Sequence, residues 1–248
     1  MKYCKCKITK EKIPIILNYG DMLIANSFSK KINTKNNYKM QIAFNEKNGV
    51  FQLVSAPKPK KLFNKNYAFM SSTSKNMQKH FEKVAEIIKK KFQKKKFKIM
   101  EIGCNDGIFL NNFREYDHLG IEPSKNVFNI SKSKKLNVVN SFFDKKLIDK
   151  KKLNNKFDII FAANVICHVP DLKNLIKAVD FLLSKNGFFI FEEPYLGSMY
   201  KKVSYDQIYD EHIYIFSVSS VNKIFKNFDF ELIRPTPRST HGGSMRYV

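Results

Sequence analysis

The chain has 248 residues, enough to bury one substantial core with a small appended module, and its four cysteines, at 4, 6, 104 and 167, are too scattered for a disulfide framework. Its net charge of +23 comes almost wholly from lysine spread through nearly every segment, with arginine only at Arg114, Arg234, Arg238 and Arg246. Arginine forks onto phosphates and reads base edges, so this excess points to an A/T-rich coding bias rather than a specific nucleic-acid site; no apolar run is long enough to span a bilayer, and Met1-Lys-Tyr-Cys4 lacks a signal-peptide core, so the expected location is cytoplasmic.

Residues 1 to about 60 carry short strands such as Met40–Phe44 and Val50–Val54 and are closed by Pro57-Lys-Pro59, the pattern of a small separate module. Between 61 and 96, Met77, Phe81, Val84, Ile88 and Phe92 recur at helical spacing, which predicts a long amphipathic helix over Asn76–Phe92. The remaining segment, 97–248, alternates regularly. Strands are expected near 98–102, 118–121, 136–139, 157–163, 187–193, 228–234 and 243–248, and helices near 107–114, 124–132, 171–184 and 217–226. This alternation predicts an α/β, Rossmann-like, mostly parallel sheet with helices on both faces, and ligands of such sheets bind beyond the carboxyl ends of the strands.

The first candidate site follows the first of these strands. Glu101-Ile-Gly-Cys-Asn-Asp-Gly107 gives a tight strand-to-helix turn, with Gly103 and Gly107 for close backbone approach. One strand later, Gly120-Ile-Glu-Pro123 places the Glu122 carboxylate where it can accept both hydroxyls of a ribose. The glycine spacing departs from the dinucleotide fingerprint, and Asn105 and Asp106 stand where a pyrophosphate needs neutral or positive surroundings. A cationic, phosphate-free cofactor fits better, and S-adenosylmethionine is one.

Further along, Asn164 and His168-Val-Pro-Asp171 follow the strand at 157–163, with Asp171 as helix N-cap. Glu192-Glu-Pro-Tyr195 ends the next strand. Tyr205-Asp-Gln-Ile-Tyr-Asp-Glu-His212 then crowds two phenols, three carboxylates and an imidazole into eight residues, and Thr240-His-Gly-Gly-Ser244 precedes the last strand. A histidine can take a proton near neutral pH, and a neighbouring carboxylate steadies the imidazolium. A satisfied loop histidine, a polar surface turn and a plain strand-to-strand turn have the same compositions.

Taken together these segments resemble the nucleotide-sugar C-methyltransferases, S-adenosylmethionine-dependent enzymes that place a methyl branch on keto-deoxysugars. The resemblance is carried in order by Leu17–Phe28, Tyr67–Ser74 with Met77, His80 and Phe81, Glu101–Gly107, Asn164 with His168–Asp171, Glu193-Pro-Tyr195, Tyr205–His212 with Phe216-Ser217, and His241-Gly-Gly-Ser244. It implies the class I S-adenosylmethionine-dependent methyltransferase fold and a mechanism in which a base forms an enolate beside a 4-keto group. By the same resemblance His212 matches the base, Glu211 its neighbour, Tyr209 and Tyr67 the phenols that hold substrate and enolate oxygen, and His168 a second imidazole. Glu101, Gly103, Asn105, Asp106, Gly107, Glu122 and Asn164 would bind the cofactor. Tyr195, His241, Gly242 and Gly243 would bind the nucleotide-linked keto sugar.

Two departures from the family follow. Members hold zinc through paired Cys-x-x-Cys elements, whereas here Cys4-Lys-Cys6 and Asn45-Glu-Lys-Asn48 occupy those places, so the module is expected to be a degenerate zinc-binding type, at most a weak remnant at Cys4 and Cys6. Members also continue into a further α/β domain, so a companion chain supplying it, a fragment, or altered substrate handling is expected. The enzymatic rival is a sugar O-methyltransferase. Rivals of other classes are an RNA-binding or RNA-methylating protein and a non-catalytic cofactor-binding remnant.

Overall fold

The computed structural model describes residues 1–26, 28, 37–93, 96–154 and 157–248, so Ser27 of the Leu17–Phe28 stretch lies outside the described residues. Its described chain forms two compact units, both discontinuous in sequence: Met1–Leu62, Asn164–Ile176 and Phe191–Val248 make the first, and Phe63–Ala163 with Lys177–Ile190 the second. This differs from a contiguous division at 60 and 96, because the N-terminal strands take their last partner from far along the chain.

In the first unit, β1 (Tyr3–Lys5), β2 (Lys12–Leu23), β3 (Asn37–Asn45) and β4 (Val50–Leu53) run antiparallel in sequence order. Met40, Ile42, Phe51 and Leu53 supply a core that Ile208 and Ile215 complete. The short helix α1 (Pro59–Leu62) closes this segment.

The second unit begins with α2 (Lys75–Lys91), capped by the Ser74 side chain on the Met77 N–H and buried along Phe81, Val84, Ala85 and Ile88. Then come β5 (Lys98–Ile102), β6 (Asp117–Ile121), α3 (Lys125–Ser133), β7 (Val138–Val139), α4 (Lys145–Lys151) and β8 (Phe157–Ala163). β5 lies between β6 and β8 and is parallel to both; β6 is parallel to β7. A strand covered on both faces is mostly apolar, and β5 and β8 are so apart from Lys98 and Glu101 in the first and Asp158 in the second. Phe81 of α2 meets Phe109 and Phe161 edge-on, while those two rings stack with centroids 4.0 Å apart. The helix expected at 107–114 is only a 3-10 turn at Leu110–Phe113, with Phe109 and Phe113 fully buried in this aromatic core and Leu110 in a cluster with Cys104, Leu136 and Val138.

The helix α5 (Leu172–Leu182) is capped by Asp171, which accepts the Asn174 N–H, and it leads into β9 (Leu183–Pro194), the neighbour of β8 in the sheet order. From Phe191 the chain is again in the first unit. There it forms α6 (Leu196–Lys202), β10 (Tyr214–Ile215), which pairs antiparallel with β4, α7 (Val218–Lys226), β11 (Thr236–Arg238) and β12 (Ser244–Tyr247). β12 pairs antiparallel with the second half of β9, and β11 with β12.

No strand forms at 228–234. Asp229 is left-handed at φ 60°, Ile233 is exposed, and the edge strand starts only after Pro235, where Pro237 is tolerated because an edge need not donate every N–H. Among the described residues no helix is long and apolar enough to cross a membrane.

Gly120 in β6 fixes the packing beneath the first candidate loop. A Cβ there would lie 2.7 Å from Cys104 Sγ, 2.7 Å from Leu110 and 2.8 Å from Val138. Gly120→Val should therefore cost roughly 1–3 kcal/mol or more by overpacking, read as a lower urea midpoint. An unchanged midpoint would show that the sheet can shift to admit the side chain.

Candidate functional site

Beyond the carboxyl ends of β5 and β6, the chain turns back through three left-handed residues, Gly103 (φ 69°), Asn105 (φ 49°) and Gly107 (φ 78°). The N–H groups of Gly103 and Cys104 both donate to the Ile121 carbonyl, at 2.8 and 3.0 Å, which pins the loop to the end of β6. Glu122 clasps the loop from the other side: its Oε2 accepts the Asn105 N–H at 2.9 Å and its Oε1 the Ser124 N–H at 2.7 Å. Asn105 Oδ1 and Asp106 Oδ2 accept the N–H groups of Ser71 and Ser72, at 3.0 and 2.9 Å. The Tyr67–Ser74 segment is thus bound to the glycine loop, and the Tyr67 carbonyl accepts from Asn126.

Two acidic oxygens remain unsatisfied beside the neutral Ser124 hydroxyl and Asn126 Oδ1. Glu101 Oε2 and Asp106 Oδ1 are buried with no hydrogen-bond partner. Burial, then the Asp106 charge, hold the Glu101 carboxyl well above the usual carboxylate range, and burial raises Glu122 as well. A cationic ligand with its own donors relieves this strain, whereas a pyrophosphate would add to it. Gly107 serves the packing as well as the turn. A Cβ there would sit 2.4 Å from Leu136 and 3.1 Å from Ser131, so its bare backbone serves internal packing.

The sign of the pH effect follows. Glu101 has its folded pKa raised above the unfolded value, so its contribution to stability is complete below the unfolded value of about 4.5 and is lost as pH rises through the folded one. Relative to wild type, Glu101→Gln should gain stability between pH 5 and pH 8. Urea unfolding at the two values checks this, and a gap independent of pH would contradict it.

The second cluster lies wholly in the first unit. The segment Tyr205–His212 forms a 3-10 turn at Tyr205–Gln207 and then folds so that His212 Nδ1 sits 2.8 Å from the Gln207 carbonyl. A carbonyl only accepts, so Nδ1 carries the hydrogen and Nε2 keeps its lone pair. The ring stacks on His168, with centroids 5.3 Å apart and planes at 16°, and the Tyr209 ring lies 4.3 Å away. Burial brings His212 down to about 4 and His168 well below its usual value, so both are neutral at pH 7. Burial and then the Glu211 charge keep the Tyr209 hydroxyl protonated.

Carboxylates expected to face the reaction have other work. Glu211 Oε1 accepts from Asn26 Nδ2 at 2.6 Å, and Asp210 Oδ1 accepts the Ala25 N–H at 3.2 Å, so the N-terminal Ile24-Ala25-Asn26 segment is fastened to the acidic string. His212 Nδ1 is oriented by the Gln207 carbonyl. Glu192 pairs with Arg246 inside the β9–β12 sheet. Glu193 accepts the N–H groups of Val165, Ile166 and Cys167, and so carries the turn that presents His168. These roles of Gln207 and Glu193 run through backbone atoms, which leave no mark in sequence; Asn26 stood inside a quoted motif without an assigned role.

Asn164, left-handed at φ 53°, has a buried Oδ1 without a partner. His241 is left-handed too, at φ 49°, and its charge is felt by both His168 and His212. The Tyr195 N–H donates to the Gly243 carbonyl, and Lys202 Nζ donates to the Gly242 carbonyl. Gly243 is bare because a Cβ would fall 2.6 Å from Ser198. Tyr67 belongs to the second unit, and its ring packs on Phe63 with centroids 5.4 Å apart.

At the N-terminus the residues do not fit zinc. Asn45 Oδ1 accepts the N–H groups of Lys47 and Asn48, Asn48 Oδ1 that of Val50, and Cys6 Sγ that of Thr9. The two amides are engaged by their own turn, and two thiols alone make a poor tetrahedral set.

A methyltransferase-domain family model matches residues 74–234. The C-methyltransferase NovU of Streptomyces niveus is 24% identical over 150 residues, 59% of this chain and 36% of NovU. An uncharacterised protein of Methanocaldococcus jannaschii is 26% identical over 110 residues, 44% of this chain and 47% of its own length. The alignments thus span less than half of either curated relative. Among solved structures, magnesium protoporphyrin IX methyltransferase from Synechocystis with bound S-adenosylhomocysteine superposes with a TM-score of 0.53 at 15% identity, over 68% of this chain and 81% of that one. An S-adenosylmethionine-dependent methyltransferase from Clostridium acetobutylicum gives 0.53 at 15% identity, over 67% and 90%. These likenesses show the class I, Rossmann-like fold.

Proposed function

We propose, on the premise that this chain belongs to the methyltransferase-domain family, that it methylates carbon beside the ketone of a nucleotide-linked keto-deoxysugar. The cofactor is S-adenosylmethionine, which supplies an electrophilic methyl group when bound. The residues fit it: Glu122 retains lone pairs for ribose hydroxyls, and the orphaned oxygens of Glu101 and Asp106 suit its donors and positive charge.

The observation that carries the reading is the His212 ring, fixed through Nδ1 so that its Nε2 lone pair is available beside a protonated phenol. His212 Nε2 takes the proton from the carbon next to the ketone, and the electron pair moves onto the carbonyl oxygen as an enolate. Tyr209 donates to that oxygen, and His168 stacks on the imidazolium side of the pair. Donors aimed at developing oxyanion charge contribute a few kcal/mol, comparable to the proton-transfer step. A base with a depressed pKa is wholly in its accepting form at pH 7, and the nascent enolate stabilises the imidazolium it forms. Tyr67, Tyr195, His241, Gly242 and Gly243 are assigned to holding the sugar. The likeness to NovU supports carbon as the acceptor.

The test supplies S-adenosylmethionine carrying a 13C-labelled methyl together with nucleotide-linked 4-keto sugars, and reads the product by NMR. A methyl bonded to carbon is expected. A methyl bonded to oxygen would make the chain a sugar O-methyltransferase instead.

A further inference from the structure

Cys167 takes no part in the reaction proposed above, yet it stands among its imidazoles. One ligand atom from each of Cys167, His168 and His212 lies within 4.8 Å of the others. The first two are presented together by the 3-10 turn Ile166–His168, which Glu193 holds through three backbone N–H groups. His212 approaches from the Tyr205–His212 segment with its Nδ1 already committed to the Gln207 carbonyl. Histidines that bind metals characteristically donate their other ring nitrogen to just such an oxygen, which fixes the tautomer and aims the remaining lone pair.

One thiol and two imidazoles are the donors of borderline-soft divalent ions; magnesium and calcium take oxygen. A tetrahedral zinc holds its sulfur and nitrogen donors ~3.3–3.6 Å apart, so the three must close by roughly an ångström and the two near-parallel rings must tilt for their in-plane lone pairs to converge. We propose that Cys167, His168 and His212 form a site for a divalent transition cation of the zinc type, and that its occupancy silences the enzyme. The silencing rests on the reaction proposed above, because the Nε2 that would hold the ion is the atom that removes the substrate proton. One lone pair cannot serve both. As the sulfur–metal bond forms, the buried thiol passes its proton to the Glu193 carboxylate that faces it; the two imidazoles bind neutral, and water completes the shell.

The test titrates the full, metal-stripped chain with cobalt(II) and follows the thiolate-to-cobalt charge-transfer band and the visible bands of tetrahedral cobalt. One equivalent should saturate both in wild type and in a Cys4→Ser, Cys6→Ser double variant, and Cys167→Ser should abolish the charge-transfer band. No bands, or a band that survives Cys167→Ser, overturns the site. If Cys167→Ser fails to fold by circular dichroism, His168→Gln should still diminish the tetrahedral bands, and unchanged bands in that variant count against the site equally. In parallel, one equivalent of zinc should stop the exchange of the keto sugar's carbon-bound hydrogen with deuterated water, and a chelator should restore it. Exchange that persists at full occupancy overturns the silencing. A metal-free enzyme with no exchange at all overturns the reaction reading and the silencing together, while the cobalt bands still decide the site.

Discussion

Replacing His212 by glutamine should lower turnover by ~10²-fold or more and leave the dissociation constant for S-adenosylmethionine nearly unchanged. Glutamine can still donate an amide hydrogen to the Gln207 carbonyl, so the segment keeps its anchor, but it offers no lone pair basic enough to take a carbon-bound proton. The loss should fall on kcat and on kcat/KM alike, because the interaction removed is made in the transition state. His168 is not expected to substitute, since it lacks the Gln207 anchor that aims the His212 lone pair, and burial lowers its readiness to hold a proton too. Steady-state kinetics with calorimetric cofactor binding check this. Near-normal turnover removes His212 from the role of base, and a matching loss of cofactor affinity would mean that the substitution disturbed the fold rather than the chemistry.

Glu122→Ala should weaken S-adenosylmethionine binding by ~10²-fold or more, for two reasons that add. The carboxylate loses its charge-assisted hydrogen bonds to the ribose, worth ~1.5–3 kcal/mol each, and the loop loses the acceptor that holds the Asn105 and Ser124 N–H groups. Glu122→Gln separates the two. An amide oxygen can keep one of the backbone N–H groups and so recover part of the loop's order, but it cannot accept from both hydroxyls as a carboxylate does. Calorimetry should therefore place the glutamine variant between wild type and alanine. Wild-type affinity in the alanine variant would contradict the ribose assignment.

The sheet was legible where burial on both faces writes a mostly apolar run. β5 and β8 lie where the apolar runs Lys98–Ile102 and Phe157–Ala163 place them, and α2, α3, α5 and α7 fall within two residues of their periodic stretches. β2 was not, because its outer face exposes Ile16, Leu17, Tyr19 and Met22 while register shifts at Ile15/Leu17 and Asn18/Asp21 break the period of two. α6 was hidden by Gly197, which a helix disfavours; the Tyr195 ring lies where its Cβ would be, 2.5 Å away, so packing decided the matter. The antiparallel β11–β12 edge was masked by Pro237 and by the misleading alternation at 228–234.

At the site, the titratable side chains of Tyr205–His212 stood out by density alone. What set their roles did not. Asn26 reaches Glu211 across 185 positions, and His212 is oriented by a main-chain oxygen, so nearest neighbours in sequence were poor guides to partners in space. The glycines illustrate the same point. Gly107 and Gly243, which read as turn and close-approach positions, also sit where a Cβ would meet Leu136, Ser131 and Ser198.

The most direct test of the account needs no methyl transfer. Incubate the metal-free enzyme with a nucleotide-linked 4-keto sugar in deuterated water, without cofactor, and follow the carbon-bound hydrogen beside the ketone by NMR. Wild type should wash that hydrogen out for deuterium, and His212→Gln should slow the exchange by ~10²-fold. If the hydrogen is retained across a panel of such sugars, or if the glutamine variant exchanges it as fast as wild type, then enolate formation by the His212 imidazole is wrong.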